Sequence, residues 1–411
     1  MKKIILFFLL GVSSLISVAQ SETKIVIGTI DSLHSKILGE QRKIWIYVPD
    51  GGPGGIYAKQ RYPVVYLLDG DAHFYSVVGM IQQLSQVNGN TICPEMIVVG
   101  IPNTDRTRDL TPTHITSDLP MMDSAASVNT GGGEKFISFI EKELIPHIDS
   151  IYPTQPYRML IGHSFGGLTV INTLVHHTNL FNAYVSIDPS MWWDNYRLLE
   201  ETKTALATKN FKGISLFLGI ANTMPDGMDT LKARRDTTLV TKQIRSILEL
   251  NSYLNANKQN ALRSKSKYYN EDNHGSVPLI AEYDALRFIF DYYPLKLTMD
   301  DYMNMNKEVI SKFEKHYEDV SKHLGYTVKL SESMVNNLPY DKLAAKNYDM
   351  AEYLFKLNIS NYPESANTYD SLGDFYDAKG DKENAILNYK KALSIHQMPE
   401  TKVKLEKLQK K

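Results

Sequence analysis

Gly162-His163-Ser164-Phe165-Gly166 puts a serine between two glycines, directly after the run Tyr157-Arg158-Met159-Leu160-Ile161 and before a helix-like stretch, Leu168 to His176. Strand, tight turn and helix in that order are what a G-x-S-x-G nucleophile elbow needs. The turn holds the serine at strained backbone angles and lifts its hydroxyl above the sheet edge. A side chain at 162 or 166 would meet the neighbouring strand or helix, so glycine belongs there. Ser164 then lies at a helix N-terminus, where the N–H of Phe165 can hold an oxyanion. The chemistry implied is nucleophilic attack on an acyl carbon.

A serine hydroxyl attacks only when a base takes its proton. On sheets that carry this elbow the chain order is serine, acid, histidine, which restricts the base to residues after 164. His176 and His177 lie on the helix leading away from the elbow, and His316, His323 and His396 come after the sheet region. His274 sits in the polar loop Glu271-Asp272-Asn273-His274-Gly275-Ser276, just before a final helix from about Pro278, and is the expected base.

Those residues need a rigid sheet. Lys43 to Val48, Pro63 to Leu68, Met96 to Ile101, Tyr157 to Ile161, Ala183 to Ile187 and Ile214 to Ile220 read as strands. Helical patterns fall at Phe136 to Ser150, Leu168 to His177 and Thr237 to Tyr253. Continuous apolar strands separated by helices predict an α/β fold, a mainly parallel sheet covered on both faces. Reactive groups then gather at the carboxyl ends of the strands. Ser164 is at such an end, and so are Asp69-Gly70-Asp71, Asn103 to Asp109, Asp188 to Asn195 and Asn222 to Asp229.

The surroundings of this unit are different. Lys2 and Lys3, the apolar run Ile4 to Ile16 and the small residues Ser17-Val18-Ala19 read as an export signal over residues 1–19. That predicts a periplasmic or secreted bacterial protein with no membrane span once the signal is removed. Cys93 is the single cysteine of the 411 residues, so no internal disulfide is expected. A formal net charge of −1 gives no argument for nucleic acid or an anionic membrane surface. No metal-ligand spacing of the H-E-x-x-H kind occurs, and no metal site is expected. The hydrolase unit is expected over residues 22–295 and a helical linker over 296–330. Beyond it, Tyr369, Leu372, Gly373, Tyr376, Ala385, Tyr389 and Ala392 fall at the offsets of the tetratricopeptide pattern, which predicts a small all-α unit over 331–411. Such repeats offer a surface for a protein partner.

Several runs in order carry a family resemblance. They are Ile37 to Arg42, Tyr62 to Gly70, Asn103 to Pro112, Gly162 to Gly167, Asp188-Pro189-Ser190-Met191-Trp192-Trp193 and the His274 loop. Over about Ser32 to Tyr293 the chain resembles the putative-esterase family of α/β-hydrolases, which includes esterase D, siderophore esterases, feruloyl esterases and mycolyltransferases. The resemblance implies serine-dependent hydrolysis of a small-molecule or glycan ester with no cofactor. It assigns the second oxyanion donor to the N–H of Asp71. Arg106, Trp192 and Trp193 fall on loops at the catalytic edge, where they are candidate substrate-binding residues. The family usually carries its acid just after the strand equivalent to Ile214 to Ile220. Here that place reads Ala221-Asn222-Thr223-Met224-Pro225, so Asp226 is the candidate, with Asp229 and Asp236 next and a Ser–His dyad as the alternative. Two other functions stay open: acyl transfer of the mycolyltransferase type, and a binding protein that uses the hydrolase scaffold and the helical repeats.

Overall fold

A computed structural model of the chain describes residues 24–50, 57–115, 128–303 and 306–410. The export signal expected over residues 1–19 lies outside the described residues. Eight strands make one sheet: β1 (Thr29–Ser35), β2 (Glu40–Tyr47), β3 (Tyr62–Leu68), β4 (Ile97–Ile101), β5 (Thr154–His163), β6 (Ala183–Ile187), β7 (Ser215–Ala221) and β8 (Arg263–Tyr269). Their order is β1-β2-β4-β3-β5-β6-β7-β8. The β1–β2 and β2–β4 pairs are antiparallel, and all the others are parallel.

The central strands are apolar at nearly every position because both faces of a parallel sheet are covered. Every residue of β3, β4 and β6 is buried. The register sorts alternate residues into rows. Tyr66, Leu160, Tyr184 and Leu216 stand opposite one another in successive strands and enter the core on one face. Leu67, Ile161, Val185 and Phe217 form the next row and enter the core on the other face. On the second face lie α1 (Gly70–Ser85), through Val77, Val78 and Ile81, and α5 (Val277–Ile289), through Ala281 and Ala285. The first face is covered by α2 (Phe165–His176), α3 (Trp193–Thr208) and α4 (Lys242–Ala256).

The C-terminal region is all helical: α6 (Lys307–Leu324), α7 (Glu332–Ala344), α8 (Tyr348–Asn361), α9 (Ala366–Lys379), α10 (Lys382–Ile395) and α11 (Pro399–Lys410). Helix α6 is more than a linker. Its end, Val320 and Leu324, is buried in the same core as Leu286 and Phe290 of the sheet unit. Its start, Val309, Ile310 and Phe313, packs with Val335, Met350 and Leu354. Helices α9 and α10 meet closely at Gly373, where an added Cβ would lie 2.5 Å from the Tyr389 ring. Among the described residues no helix is long and apolar enough to cross a membrane.

Candidate active site

Ser164 stands between β5 and α2 at φ 60° and ψ −114°, a strained conformation for a residue with a side chain. Its N–H donates to Ile187 O at 3.0 Å, which ties the turn to the neighbouring strand. The strand end and the helix start nearly touch. A Cβ on Gly162 would sit 2.4 Å from Gly166 O, and one on Gly167 would sit 2.9 Å from Ile187 O. That contact excludes side chains and forces the serine outward.

His274, in the loop between β8 and α5, brings Nε2 to 3.1 Å from Ser164 Oγ. Its Nδ1 lies 2.6 Å from Asp188 Oδ2. A carboxylate accepts, so Nδ1 carries the proton and the Nε2 lone pair faces the serine hydroxyl. Asp188 is fully buried at the end of β6, with φ 40°. Its Oδ1 accepts from Ala221 N–H at 3.0 Å, and its own N–H donates to Gly219 O at 2.8 Å. The carboxylate is therefore fixed by the backbone of β7.

This corrects the expected acid. Asp226 is exposed on the loop after β7. Asp229 caps a short helix, accepting from Lys232 N–H at 2.8 Å, and Asp236 accepts from Thr238 and Thr241 hydroxyls at 2.5 and 2.6 Å. The carboxylate beside His274 comes from one strand nearer Ser164, and β7 contributes only an N–H. The signal in the sequence was an aspartate directly following an apolar strand in Ile187-Asp188-Pro189.

Phe165 opens α2 and Asp71 lies in the first turn of α1. First-turn N–H groups have no partner within their helix, and both residues lie at the same sheet edge, since β3 and β5 are neighbours. The turns are held together by Arg106, whose Nε and Nη2 donate to the two carboxylate oxygens of Asp69 at 2.6 and 3.0 Å. Nη2 also lies 3.3 Å from His163 O, and the guanidinium lies 5.5 Å from the centroid of the Phe165 ring. Arg106, the expected substrate contact, thus clamps the Asp69 turn to the end of β5, with its side chain 35% exposed. The carboxylate of Asp69 is 5% exposed and must have a countercharge at that depth.

The two tryptophans are also corrected. Trp192 and Trp193 are 6% and 1% exposed. Trp193 packs edge-on to Phe165 at 5.2 Å between centroids and donates from Nε1 to Thr113 Oγ1 at 3.0 Å. They form the apolar backing of the nucleophile turn.

Behind His274 runs a set of partly buried and buried titratable groups that sequence reasoning did not find. The His163 ring is 4.5 Å from that of His274 and 6.0 Å from that of His73, measured between centroids. His73 Nδ1 lies 3.8 Å from Glu282 Oε1. Burial, then the neighbouring His274 imidazole, pushes His163 down to about 4, and burial lowers His73. Burial pushes the Glu282 carboxyl up to about 8. At neutral pH this set is uncharged.

The sequence profile of the family described as Putative esterase matches residues 35–261, more than half of the chain. The siderophore triacetylfusarinine C esterase of Aspergillus fumigatus is 24% identical over 244 residues, 56% of this chain and 82% of that protein. The ferri-bacillibactin esterase BesA of Bacillus subtilis is 32% identical over 168 residues, 38% of this chain and 58% of that protein. The crystal structure of an IroE-like serine hydrolase from Shewanella oneidensis superposes with a TM-score of 0.63 at 28% identity, over 89% of this chain and 99% of that one. That overlap is longer than the sheet unit alone.

Proposed function

Because the chain belongs to the putative esterase family and hydrolyses ester bonds, we propose that it is a serine esterase working through an acyl-enzyme on Ser164. The observation that carries this reading is the hydrogen-bonded series Ser164–His274–Asp188 at the carboxyl edge of the sheet. Ser164 Oγ attacks the ester carbonyl while His274 Nε2 takes its proton, and Asp188 stabilises the imidazolium. The carbonyl oxygen, now negative, accepts from the N–H groups of Phe165 and Asp71, each worth on the order of 3 kcal/mol to the transition state. As the C–O bond breaks, Nε2 returns the proton to the leaving alkoxide. Water then attacks the acyl-enzyme with its proton passing to the same nitrogen, which returns it to Ser164 as the acid product leaves.

The substrate in this reading is a siderophore ester, the substrate class that the names of both relatives carry. Residues 1–19 serve as the export signal, so cleavage takes place outside the cytoplasm. The C-terminal helices form tetratricopeptide-like repeats, an assignment supported by the close α9–α10 contact at Gly373, and offer a surface for a protein partner. The test is a panel of iron-loaded and iron-free siderophore lactones, feruloyl and acetyl-sugar esters and simple nitrophenyl esters, with Ser164→Ala as control. Hydrolysis of the lactones in preference to the other esters supports the reading. No turnover of any ester, or equal turnover by Ser164→Ala, overturns it.

A further inference from the structure

Gln243, near the start of α4, touches neither Ser164 nor His274 in any hydrogen bond, yet its side chain has polar contacts at both ends. Nε2 donates to Asp188 O at 2.9 Å, and also lies 3.2 Å from Asp188 Oδ2 and 3.4 Å from Pro189 O. Oε1 accepts from Trp192 Nε1. The amide orientation follows from its partners: an indole N–H can only donate, and a carboxylate can only accept. Reversing it would set a carbonyl oxygen against the carboxylate and an NH2 against the indole N–H.

Asp188 needs such a partner. It adopts φ 40°, and its Oδ2 is shared between His274 and this amide, while Oδ1 is held by Ala221. The carboxylate stands just after β6, whereas the resemblance placed the family's acid after the equivalent of β7. At that place this chain supplies only the Ala221 N–H. We propose that Gln243 is the positioning residue for Asp188, holding the acid and its strained turn in register with His274 and tying both to the Trp192 backing of the nucleophile turn. The charged and titratable groups facing it are Asp188 and, across Asp188, His274; Lys242 and Arg245 are carried on the same helix, Arg245 paired with Asp236. Lys242 Nζ lies 5.6 Å from the centroid of the Trp192 ring, and Arg245 faces Asp236 at 3.6 Å.

This inference rests on the serine-esterase reading, and two variants separate a positioning role from a structural one. Gln243→Leu removes both contacts with little change in volume. It should lower kcat on a small nitrophenyl ester roughly 10- to 100-fold, with KM little changed, because a displaced base slows attack without altering substrate binding. Gln243→Glu is conditional on pH. Its protonated carboxyl has a carbonyl for Trp192 and an O–H for Asp188, so it reproduces both contacts. Once ionised it keeps the first and repels Asp188. Activity relative to wild type should therefore be near unity in acid and fall as pH rises through ionisation of the introduced group. A folded Gln243→Leu with wild-type kcat, or a Gln243→Glu loss that is the same at every pH, overturns the proposal. If Gln243→Leu does not fold, the pH profile of Gln243→Glu decides. The downfield proton resonance of the His274 Nδ1–H, identified by its disappearance in Asp188→Asn, gives a readout that needs no turnover. It should move upfield or broaden in Gln243→Leu, and in Gln243→Glu once the introduced group ionises. An unchanged resonance in the folded variants overturns the proposal even if the wild type cleaves no ester tried.

Discussion

His163 and His274 pack ring against ring, with centroids 4.5 Å apart and planes tilted by 43°. The base of the candidate site thus rests on a second imidazole that immediately precedes the nucleophile in sequence. Burial pushes that second ring down to about 4 and keeps it neutral, so it adds no positive charge beside the nitrogen that takes the proton in the proposed mechanism.

The neutrality of His163 has a cost in acid. In the unfolded chain a histidine takes up its proton near 6.5, whereas the folded His163 waits until about 4. Between those values the unfolded state binds more protons, so stability falls as pH falls. His163→Phe removes this dependence. Thermal melts of the two proteins should show the variant gaining on wild type as pH drops from about 6.5 to about 4, by on the order of 2–3 kcal/mol at the acid end. Parallel melting curves across that range would contradict the assignment.

Glu282 acts with the opposite sign. Its carboxyl keeps its proton in the fold up to about 8, while the unfolded carboxyl loses it near the ordinary 4.5. Stability is therefore lost as pH rises through that window. Glu282→Gln, which carries no charge at any pH, should be the more stable protein at pH 8 by a few kcal/mol, on the order of what such a shift implies. The gain should vanish near pH 4.5. A variant less stable than wild type at pH 8 would show that the carboxylate is ionised and paired in the fold.

Asp188→Asn should lower kcat by roughly 10³- to 10⁴-fold, since an amide in place of the carboxylate favours the wrong histidine tautomer. Asp226→Asn, on an exposed loop, should stay within about twofold of wild type. Steady-state kinetics on one small ester measure both. The reverse ranking would return the acid to the loop after β7.

The extent of the C-terminal packing makes truncation informative. A protein ending near Pro294 loses Val320 and Leu324 from the core that holds Leu286 and Phe290. A cut near residue 330 keeps them. The longer truncated protein should hydrolyse small esters at close to the wild-type rate, while the shorter one should melt earlier and aggregate. Equal stability of the two would mean that α6 contributes nothing to the sheet unit.

Much of this arrangement is legible in the sequence, and the exceptions have physical causes. The central apolar strands, β3 to β7, and the Ser164 turn stand out because burial on both faces leaves a continuous hydrophobic run. β8, Arg263–Tyr269, escapes the same reading because it is an edge strand, with Ser264, Ser266 and the exposed Lys265 and Lys267 among its residues. β1 is the opposite edge and is similarly polar. Asp188 was visible as a residue at a strand end, but its role depends on a partner 86 positions away. The same holds for Arg106, whose pairing with Asp69, 37 positions away, shows only in the fold. Trp192 and Trp193 look like a platform in a loop, and only the packing of α3 and α4 shows that they face inward.

The most direct test of the central claim is mass spectrometry of the intact protein and its peptides after exposure to a fluorophosphonate. One phosphonyl adduct per chain, on the peptide containing Ser164, with loss of ester hydrolysis in proportion to labelling, is the predicted result. Full labelling at another residue, or an unlabelled protein that still cleaves esters, would contradict it.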